Sequence, residues 1–248
     1  MGAIEIRCYG ELNDFLPPPR RQRAFTVPWG APGSVKDALE SAGIPHPELD
    51  LILVDGQPVG FDRLLTSGRR VAAYPRFRRL DVSGISPVHL PPPADPRFLL
   101  DDHLRGLARL LRLLGLDAEH HSPTADADLA AAAADGDLIL LTRDRDLLKR
   151  AVVRRGYRVR STAPEEQAVE VVRRFDLAGR LAPFSRCLPC GARLTAATPA
   201  EAAGAPTAVA ARETEYRHCP GCGRLYWRGS HYRRLAALAA RLAERAGA

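Results

Sequence analysis

Two cysteine pairs constrain the last quarter of the chain more strongly than any other feature of the sequence. Cys187 and Cys190 enclose CLPC, Cys219 and Cys222 enclose CPGC, and 28 residues separate the two motifs. Each motif can form a turn that offers two thiolates to one ion, and four soft sulfur ligands in a tetrahedron select zinc. We therefore expect one structural Zn²⁺ in a loop-rich segment, with a closed ligand shell and no catalysis at the ion.

Cysteine usage and hydropathy also indicate the compartment. Cysteines paired by spacing favour metal binding in a reducing cytosol over disulfides. The fifth cysteine, Cys8, stands alone in a predicted strand as a small core residue. No apolar run approaches the roughly 20 residues needed to cross a bilayer, and the start MGAIEIRCYGEL lacks the apolar block of a signal peptide. We expect a soluble, cytoplasmic protein with no membrane partner.

The first 82 residues follow the element order of a β-grasp, ubiquitin-like domain. Ser34 can cap a helix, SVKDALESAG, whose apolar residues share one face and which Gly43 ends. Alternating or apolar runs bounded by turn residues predict strands at 4–9, 24–29, 51–54 and 70–74. We therefore assign residues 1–82 to a β-grasp domain.

Residues 83–180 change from a linker to an alternating pattern. SGISPVHLPPPADP at 83–96 is proline-rich and aperiodic, which is typical of a linker. From residue 97 to 180, strands such as FLLD and LILLT alternate with helices, among them a helix predicted over DRDLLKRAVVRRG. This order predicts a mainly parallel sheet covered on both faces, a three-layer α/β domain. We assign 181–235 to the cysteine-containing segment and 236–248 to a C-terminal amphipathic helix.

Acidic residues follow two strands of the predicted parallel sheet. Asp101 and Asp102 end the first strand, and Asp144 and Asp146 follow LILLT. Carboxyl ends of parallel strands share one crevice, where active sites of such sheets lie. Clustered carboxylates repel one another unless a cation neutralises them, and hard oxygen ligands suit Mg²⁺ or Mn²⁺. One or two such ions can activate a water and stabilise charge on a phosphodiester.

Not every acid in this region needs a catalytic explanation. Asp126 and Asp128 begin the intervening helix and can point into the crevice, but Asp at a strand-to-helix junction is also an ordinary N-cap. We favour the capping role for Asp126 and Asp135. For Asp101 with Asp144 we favour the metal-binding role because the two occupy equivalent topological positions.

The chain resembles a known family over nearly its whole length. FLLDDHLRGLARLLRLLG, ADADLA, LILLTRDRDLLKR and the cysteine pairs with YWRGSHY resemble the Mut-seven C-terminal RNase domain family over roughly residues 97–235. That family is PIN-like with a C-terminal zinc ribbon. Residues 1–80, with GIPHPELDLILVDGQPVGF and RVAAYPRF, resemble the ubiquitin-like domain that often precedes it in bacteria.

The resemblance implies a site and an activity. Its PIN-type acids fall on Asp101, Asp128 and Asp144, with Asp146 as a fourth, and the implied activity is metal-dependent RNA cleavage. This sequence departs from the family's usual pattern after the first acid, where it has Asp102 and His103 instead of a small or apolar residue and Met. The departure puts the metal affinity of the site in question.

Cationic and aromatic residues indicate RNA as the partner. Residues 181–248 carry 10 Arg against 4 Glu, whereas 1–82 and 83–180 are nearly balanced. Arg143 and Arg145 can contact phosphate, or they can pair with the neighbouring aspartates. In the C-terminal tail, cationic residues alternate with aromatic ones, a pattern that can bind single-stranded RNA. Alternatively, the aromatic residues can pack the zinc ribbon. The residues assigned to RNA binding are Arg224, Tyr226, Trp227, Arg228 and His231.

The ubiquitin-like domain has no sulfur-carrier ending. Sulfur carriers of this fold need a free C-terminal Gly-Gly, and here the domain runs on through RVAAYPRFRRLDVSG into the linker. We expect it to dock a protein partner or a substrate instead.

Two functions from different classes therefore fit the sequence best. The first is a divalent-metal-dependent ribonuclease. The second is an RNA-binding adaptor with a vestigial acidic site and a ubiquitin-like domain that docks partners.

Overall fold

The computed structural model describes residues 2–30, 32–120 and 125–247 of the chain. Two compact units make up the fold. The first comprises Met1–Ala94, Ala130–Gly136 and Asp144–Arg158, and the second comprises Asp95–Leu129, Asp137–Arg143 and Val159–Ala248. The fold combines an N-terminal sheet domain with a parallel-sheet α/β domain, which confirms the predicted fold class. The five-segment domain division stays a prediction.

The N-terminal part of the first unit is a β-grasp. Its elements are β1 Ala3–Cys8, β2 Phe25–Pro28, β3 Gly33–Ser34, α1 Val35–Ser41, β4 Leu49–Val54, β5 Gln57–Pro58, β6 Leu64–Leu65 and β7 Arg70–Pro75. The main sheet has the order β2-β1-β7-β4-β5, in which β1 and β7 are parallel and the other pairs are antiparallel. Strands β3 and β6 form a separate antiparallel pair.

Local sequence signals explain these elements. Ser34 caps α1 in a capping box: its hydroxyl accepts the N–H of Asp37, and the Asp37 carboxylate accepts the N–H of Ser34. Asp55 and Gly56 have φ of 49° and 82°, the left-handed values that a tight β4-β5 hairpin requires and that Asp and Gly tolerate. The predicted strands and helix of this domain are confirmed.

Helix α1 buries Val35, Ala38 and Leu39 in a core that also contains Ile4 and Ile6 from β1. The chain after β7 continues along this unit. Val82 and Val88 are buried, and the Asp50 carboxylate accepts a hydrogen bond from the ring of His89 at 2.8 Å. The proline-rich segment is therefore packed over part of its length.

The chain from residue 97 alternates strands and helices as expected. The elements are β8 Arg97–Leu100, α2 Arg105–Leu113, β9 Asp117–His120, α3 Asp126–Asp135, β10 Ile139–Thr142, α4 Arg145–Leu148, β11 Gly156–Arg158 and α5 Pro164–Arg174. Within the second unit, the strands pair in the order β10-β8-β9 and both pairs are parallel. Leucines of α2 and valines of α5 are buried in this unit.

The structure differs from the sequence-based expectation in this part of the chain. The helix predicted over residues 144–156 is wrong: α4 ends at Leu148, and the N–H of Val153 bonds the carbonyl of Arg150 in a turn. The β-branched Val152 and Val153 disfavour helix, and Val153 is fully buried in its turn position. Strand β9 was not predicted, because its sequence DAEH is polar and short.

The C-terminal part of the second unit is built from short elements and one long helix. They are β12 Thr195–Ala196, α6 Pro199–Ala202, α7 Thr207–Ala210, β13 Arg217–His218, β14 Leu225–Tyr226 and α8 Ser230–Gly247. Strands β12, β13 and β14 form an antiparallel sheet. The final helix begins at Ser230, earlier than the sequence pattern predicts. In the parts of the chain that the structure describes, none of the helices combines the length and apolar character that crossing a bilayer requires.

Burial of Leu39 yields a stability prediction. Leu39 is 0% exposed in the β-grasp core, whereas Leu64 is 66% exposed. We expect Leu39→Ala to lower the free energy of unfolding by roughly 2–5 kcal/mol, because truncation leaves a cavity. The matched control Leu64→Ala should lower it by less than about 0.5 kcal/mol. Urea denaturation followed by circular dichroism measures both, and equal losses would show that α1 does not form this core.

Candidate functional site

Asp101 lies at the carboxyl end of β8 and is only 8% exposed. It caps the 3₁₀-helical turn Asp102–Leu104, and its Oδ1 accepts the N–H of His103 at 3.0 Å. Its Oδ2 accepts a short hydrogen bond from the hydroxyl of Thr142, the last residue of β10. The Asp101 carboxylate is thus held between the ends of two parallel strands, and each oxygen retains a further lone pair for a cation.

Thr142 and His120 are site residues that sequence reasoning missed. Thr142 is fully buried, and its role appears only once β8 and β10 are paired, although LTRD is part of the family-like motif. His120 ends β9, opposite Leu100 of β8, and its Nε2 lies 3.4 Å from Oδ1 of Asp102. The sequence does not indicate His120 because strand β9, which places it beside β8, has no clear sequence signal.

Asp102, at the same strand end, lies between the side chains of Arg105 and His120. Its carboxylate accepts a hydrogen bond from Arg105 at 3.0 Å, and His120 lies on its other side. The hydrogen bond from Arg105 and the nearby positive charges lower the pKa of Asp102. Asp102 therefore stays ionised next to Asp101, with its charge compensated by protein groups.

The acids of α3 are exposed. Asp126 and Asp128 lie in its first turn, where a carboxylate interacts favourably with the positive end of the helix. The N–H of Asp128 bonds the carbonyl of Ala125. The structure leaves the Asp128 side chain open to solvent, which is compatible with either a capping or a metal-binding role.

Asp144 and Asp146 flank the start of the one-turn helix α4. Oδ1 of Asp144 accepts the N–H of Asp146 at 2.7 Å and that of Leu147 at 3.4 Å, so Asp144 is an N-cap. Oδ1 of Asp146 lies 3.3 Å from Nζ of Lys149 and 3.9 Å from Nε of Arg145. The Asp146 side chain is 75% exposed in both ion pairs, so the pairs are weak. The assignment of all four aspartates to catalysis stays a prediction.

Four cysteines form a compact potential metal site. The sulfur atoms of Cys187, Cys190, Cys219 and Cys222 all lie within 4.8 Å of one another. The Cys187–Cys222 and Cys190–Cys219 distances are 3.5 Å and 3.3 Å. Sulfurs bound to one zinc at about 2.3 Å in a tetrahedron are about 3.8 Å apart, so a small expansion accommodates the ion. The cluster can hold a structural metal such as zinc, as the spacing predicts.

Protonation of the four thiols differs within the cluster. Burial raises the pKa of Cys187. The hydrogen bond with the Tyr226 hydroxyl, 3.0 Å from the sulfur, and those with neighbouring cysteines outweigh this effect and lower the pKa to about 7. Burial and the neighbouring sulfurs raise the pKa of Cys190 to about 12. Four thiolates cannot coexist here without a cation, so metal binding must displace protons.

Two buried arginines join the cysteine turn to the α/β domain within the second unit. Arg112 of α2 donates to the carbonyls of Ala118, Leu188 and Pro189, at 2.7, 3.1 and 2.6 Å. Arg186 donates to the carbonyls of Gly115 and Gly191 and to the carboxylate of Asp117. The cysteine turn is thereby fixed beside β9.

The residues of the tail assigned to RNA binding divide into packed and exposed ones. Tyr226 contacts the cysteine cluster, and Arg228 lies over the ring of Tyr232, which itself packs against Phe184 at 4.7 Å. Trp227 is partly buried, whereas Arg224 and His231 are exposed. Tyr226 thus has a structural role, and RNA binding by this group of residues stays a prediction.

Comparison with known families confirms the resemblance. The family model described as Mut7-C RNAse domain matches residues 96–239, and the one described as Mut7-C ubiquitin matches residues 1–81. No match was found among curated proteins or solved structures. The first match covers more than half of the 248 residues.

Metal content tests the cysteine cluster. We expect one zinc per chain in the purified protein and none in Cys219→Ala, because three sulfurs cannot close the tetrahedron. Cys8→Ala, in the core of the β-grasp, should keep one zinc and serves as the matched control. Mass spectrometry for metals measures both, and a full zinc complement in Cys219→Ala would contradict the assignment.

Proposed function

Because the chain belongs to the Mut7-C RNAse domain family, we propose that it is a divalent-metal-dependent ribonuclease. The family match supports a nuclease-like function. The observation that carries the proposal is the buried Asp101 carboxylate, which the Thr142 hydroxyl holds at the carboxyl ends of β8 and β10. In open parallel sheets, active sites lie outside the carboxyl ends of the strands.

The aspartates supply oxygen ligands of the type that a hard divalent cation binds. In our proposal Asp101 and Asp144 bind one or two Mg²⁺ or Mn²⁺ ions, and Asp128 and Asp146 complete the acidic set. Carboxylate oxygens are the ligands that these ions prefer. A bound divalent ion would supply charge stabilisation for the phosphodiester and a more acidic water.

The residues of the chain prepare this site. Asp101 is oriented in advance by two hydrogen bonds, so little reorganisation is needed when a cation arrives. Arg145 makes a long, exposed ion pair with Asp146, so exchanging that pair for an RNA phosphate costs little. Arg143 is exposed directly after β10 and is suited to the same role.

RNA is the partner that the basic tail supports. The 10 arginines of residues 181–248 supply positive charge, and exposed Arg224, Arg228 and His231 can contact the RNA backbone. The cysteine cluster has a closed shell and would hold the ribbon without taking part in catalysis. A cytoplasmic location and a protein partner for the ubiquitin-like domain also belong to this proposal.

Cleavage by Asp144→Asn tests the proposed function. We expect wild type to cleave RNA when Mn²⁺ is added, and the variant to be slower by on the order of 10²-fold, because an amide binds the cation poorly. The matched control Asp126→Asn should cleave like wild type, since Asp126 lies exposed in the first turn of α3 and is not among the four acids assigned to the site. Zinc content is checked in every sample so that loss of the ribbon is not mistaken for loss of the site.

The same experiment addresses the alternative function. Undiminished cleavage by Asp144→Asn would rule out the assigned site. Tight RNA binding with no cleavage by wild type in Mg²⁺ or Mn²⁺ would favour an RNA-binding adaptor with a vestigial acidic site.

Thr142→Val tests the support of Asp101. Valine has the shape of threonine, so the buried position stays filled, but the hydroxyl that bonds Asp101 is lost. We expect a roughly 10–100-fold slower cleavage and a higher Mn²⁺ requirement, as is typical when a group that orients a metal ligand is removed. Thr26→Val, on an exposed strand position, is the control. Unchanged Mn²⁺ dependence in Thr142→Val would show that this hydrogen bond does not serve the site.

A further inference from the structure

We propose that the ubiquitin-like domain positions Asp144 and Asp146, because His46 and Glu48 hold the backbone that follows these two residues. The inference rests on the proposed function and deepens it. The segment Asp144–Arg158 packs in one compact unit with Met1–Ala94, which contains the ubiquitin-like domain.

Glu48 makes the most buried of these contacts. It lies at the end of the 3₁₀-helical turn His46–Glu48 and is only 1% exposed. Its Oε1 accepts the backbone N–H of Arg158 at 2.7 Å. This bond satisfies a main-chain N–H of the segment, and removing its acceptor would be costly. The contact therefore fixes the far end of the segment to the ubiquitin-like domain.

His46 makes a second contact from the same turn. Its Nε2 lies 2.7 Å from the carbonyl oxygen of Val153, and its Nδ1 lies 2.7 Å from Oε1 of Glu40. Both partners are acceptors, so each bond needs a proton on the ring nitrogen that faces it. Burial lowers the pKa of His46, and the hydrogen bond to Glu40 opposes that shift. His46 is thus oriented by Glu40 to hold the carbonyl of Val153.

Side chains of the segment add two further contacts. The Arg158 guanidinium lies over the ring of Phe15, 5.5 Å from its centroid, and Arg155 donates to the carbonyl of Pro91 at 2.7 Å. The segment is therefore held at Val153, Arg155 and Arg158 by groups from residues 1–94.

A chain of turns connects these contacts to the acids. Asp144 caps α4, the N–H of Arg150 bonds the carbonyl of Leu147, and the N–H of Val153 bonds the carbonyl of Arg150. A four-residue helix has little stability of its own, because nucleation fixes several residues for one hydrogen bond. The orientation of Asp144 and Asp146 therefore depends on where Val153 and Arg158 are held.

Glu48→Ala in the 248-residue protein, with zinc content matched to wild type, is the decisive variant. We expect kcat for RNA cleavage to fall about tenfold or more, with the KM for RNA unchanged and the half-saturating Mn²⁺ concentration raised, because the acids are misplaced while the RNA surface is intact. Glu48→Gln keeps an oxygen acceptor for the N–H of Arg158 and should restore most of the rate. Glu5→Ala, an exposed glutamate of β1, should behave like wild type.

Hydrogen exchange supplies a readout that does not depend on activity. In Glu48→Ala we expect the amides of residues 145–150 to exchange at least about tenfold faster than in Glu5→Ala, because the local structure has lost its support. If Glu48→Ala does not fold, His46→Ala is measured instead, since it removes the contact to Val153 without touching the buried carboxylate.

The outcomes separate this inference from the proposed function. Cleavage, Mn²⁺ dependence and exchange that all equal those of Glu5→Ala would overturn the inference and leave a ribonuclease unaffected. If wild type cleaves no RNA, the proposed function fails. The exchange comparison then still decides whether the ubiquitin-like domain holds the acid-bearing segment.

Discussion

Parallel pairing of β8 with β10 is the constraint on which the candidate site depends. It brings Asp101 at the end of one strand against Thr142 at the end of the other. The threonine hydroxyl donates a hydrogen bond to one oxygen of the buried Asp101 carboxylate. A buried acid without such a donor would be costly. The pairing thus gives the chain a fixed acidic group at the carboxyl ends of the strands, where active sites lie in this class of fold.

Buried charged groups also hold the accessory elements in place. Arg112 and Arg186 bond the carbonyls around the cysteine turn, and Glu48 and His46 bond the backbone of Asp144–Arg158. In each case a side chain satisfies main-chain groups of a segment built mostly of turns and very short elements. The cysteine turn and the segment Asp144–Arg158 therefore depend on side chains that lie far away in the sequence.

Much of the fold was predictable because its signals are local. Ser34 with Asp37, the Asp55-Gly56 turn, the leucine stripe of α2 and Pro164 at the start of α5 act within a few residues. The failures have non-local causes. Strand β9 is polar, and its pairing with β8 defines it. The helix expected over 144–156 ends at Leu148, and Val153 is buried.

By itself the sequence determined the cysteine site, the two kinds of sheet domain and the set of aspartates at strand ends, because spacing and periodicity are properties of the chain alone. Only the tertiary structure decided that Thr142 supports Asp101, that His120 lies beside Asp102, and that Glu48 and His46 hold the segment after Asp144. These contacts join residues between 18 and 110 positions apart. No local pattern records such pairings, since they arise when strands and turns pack together.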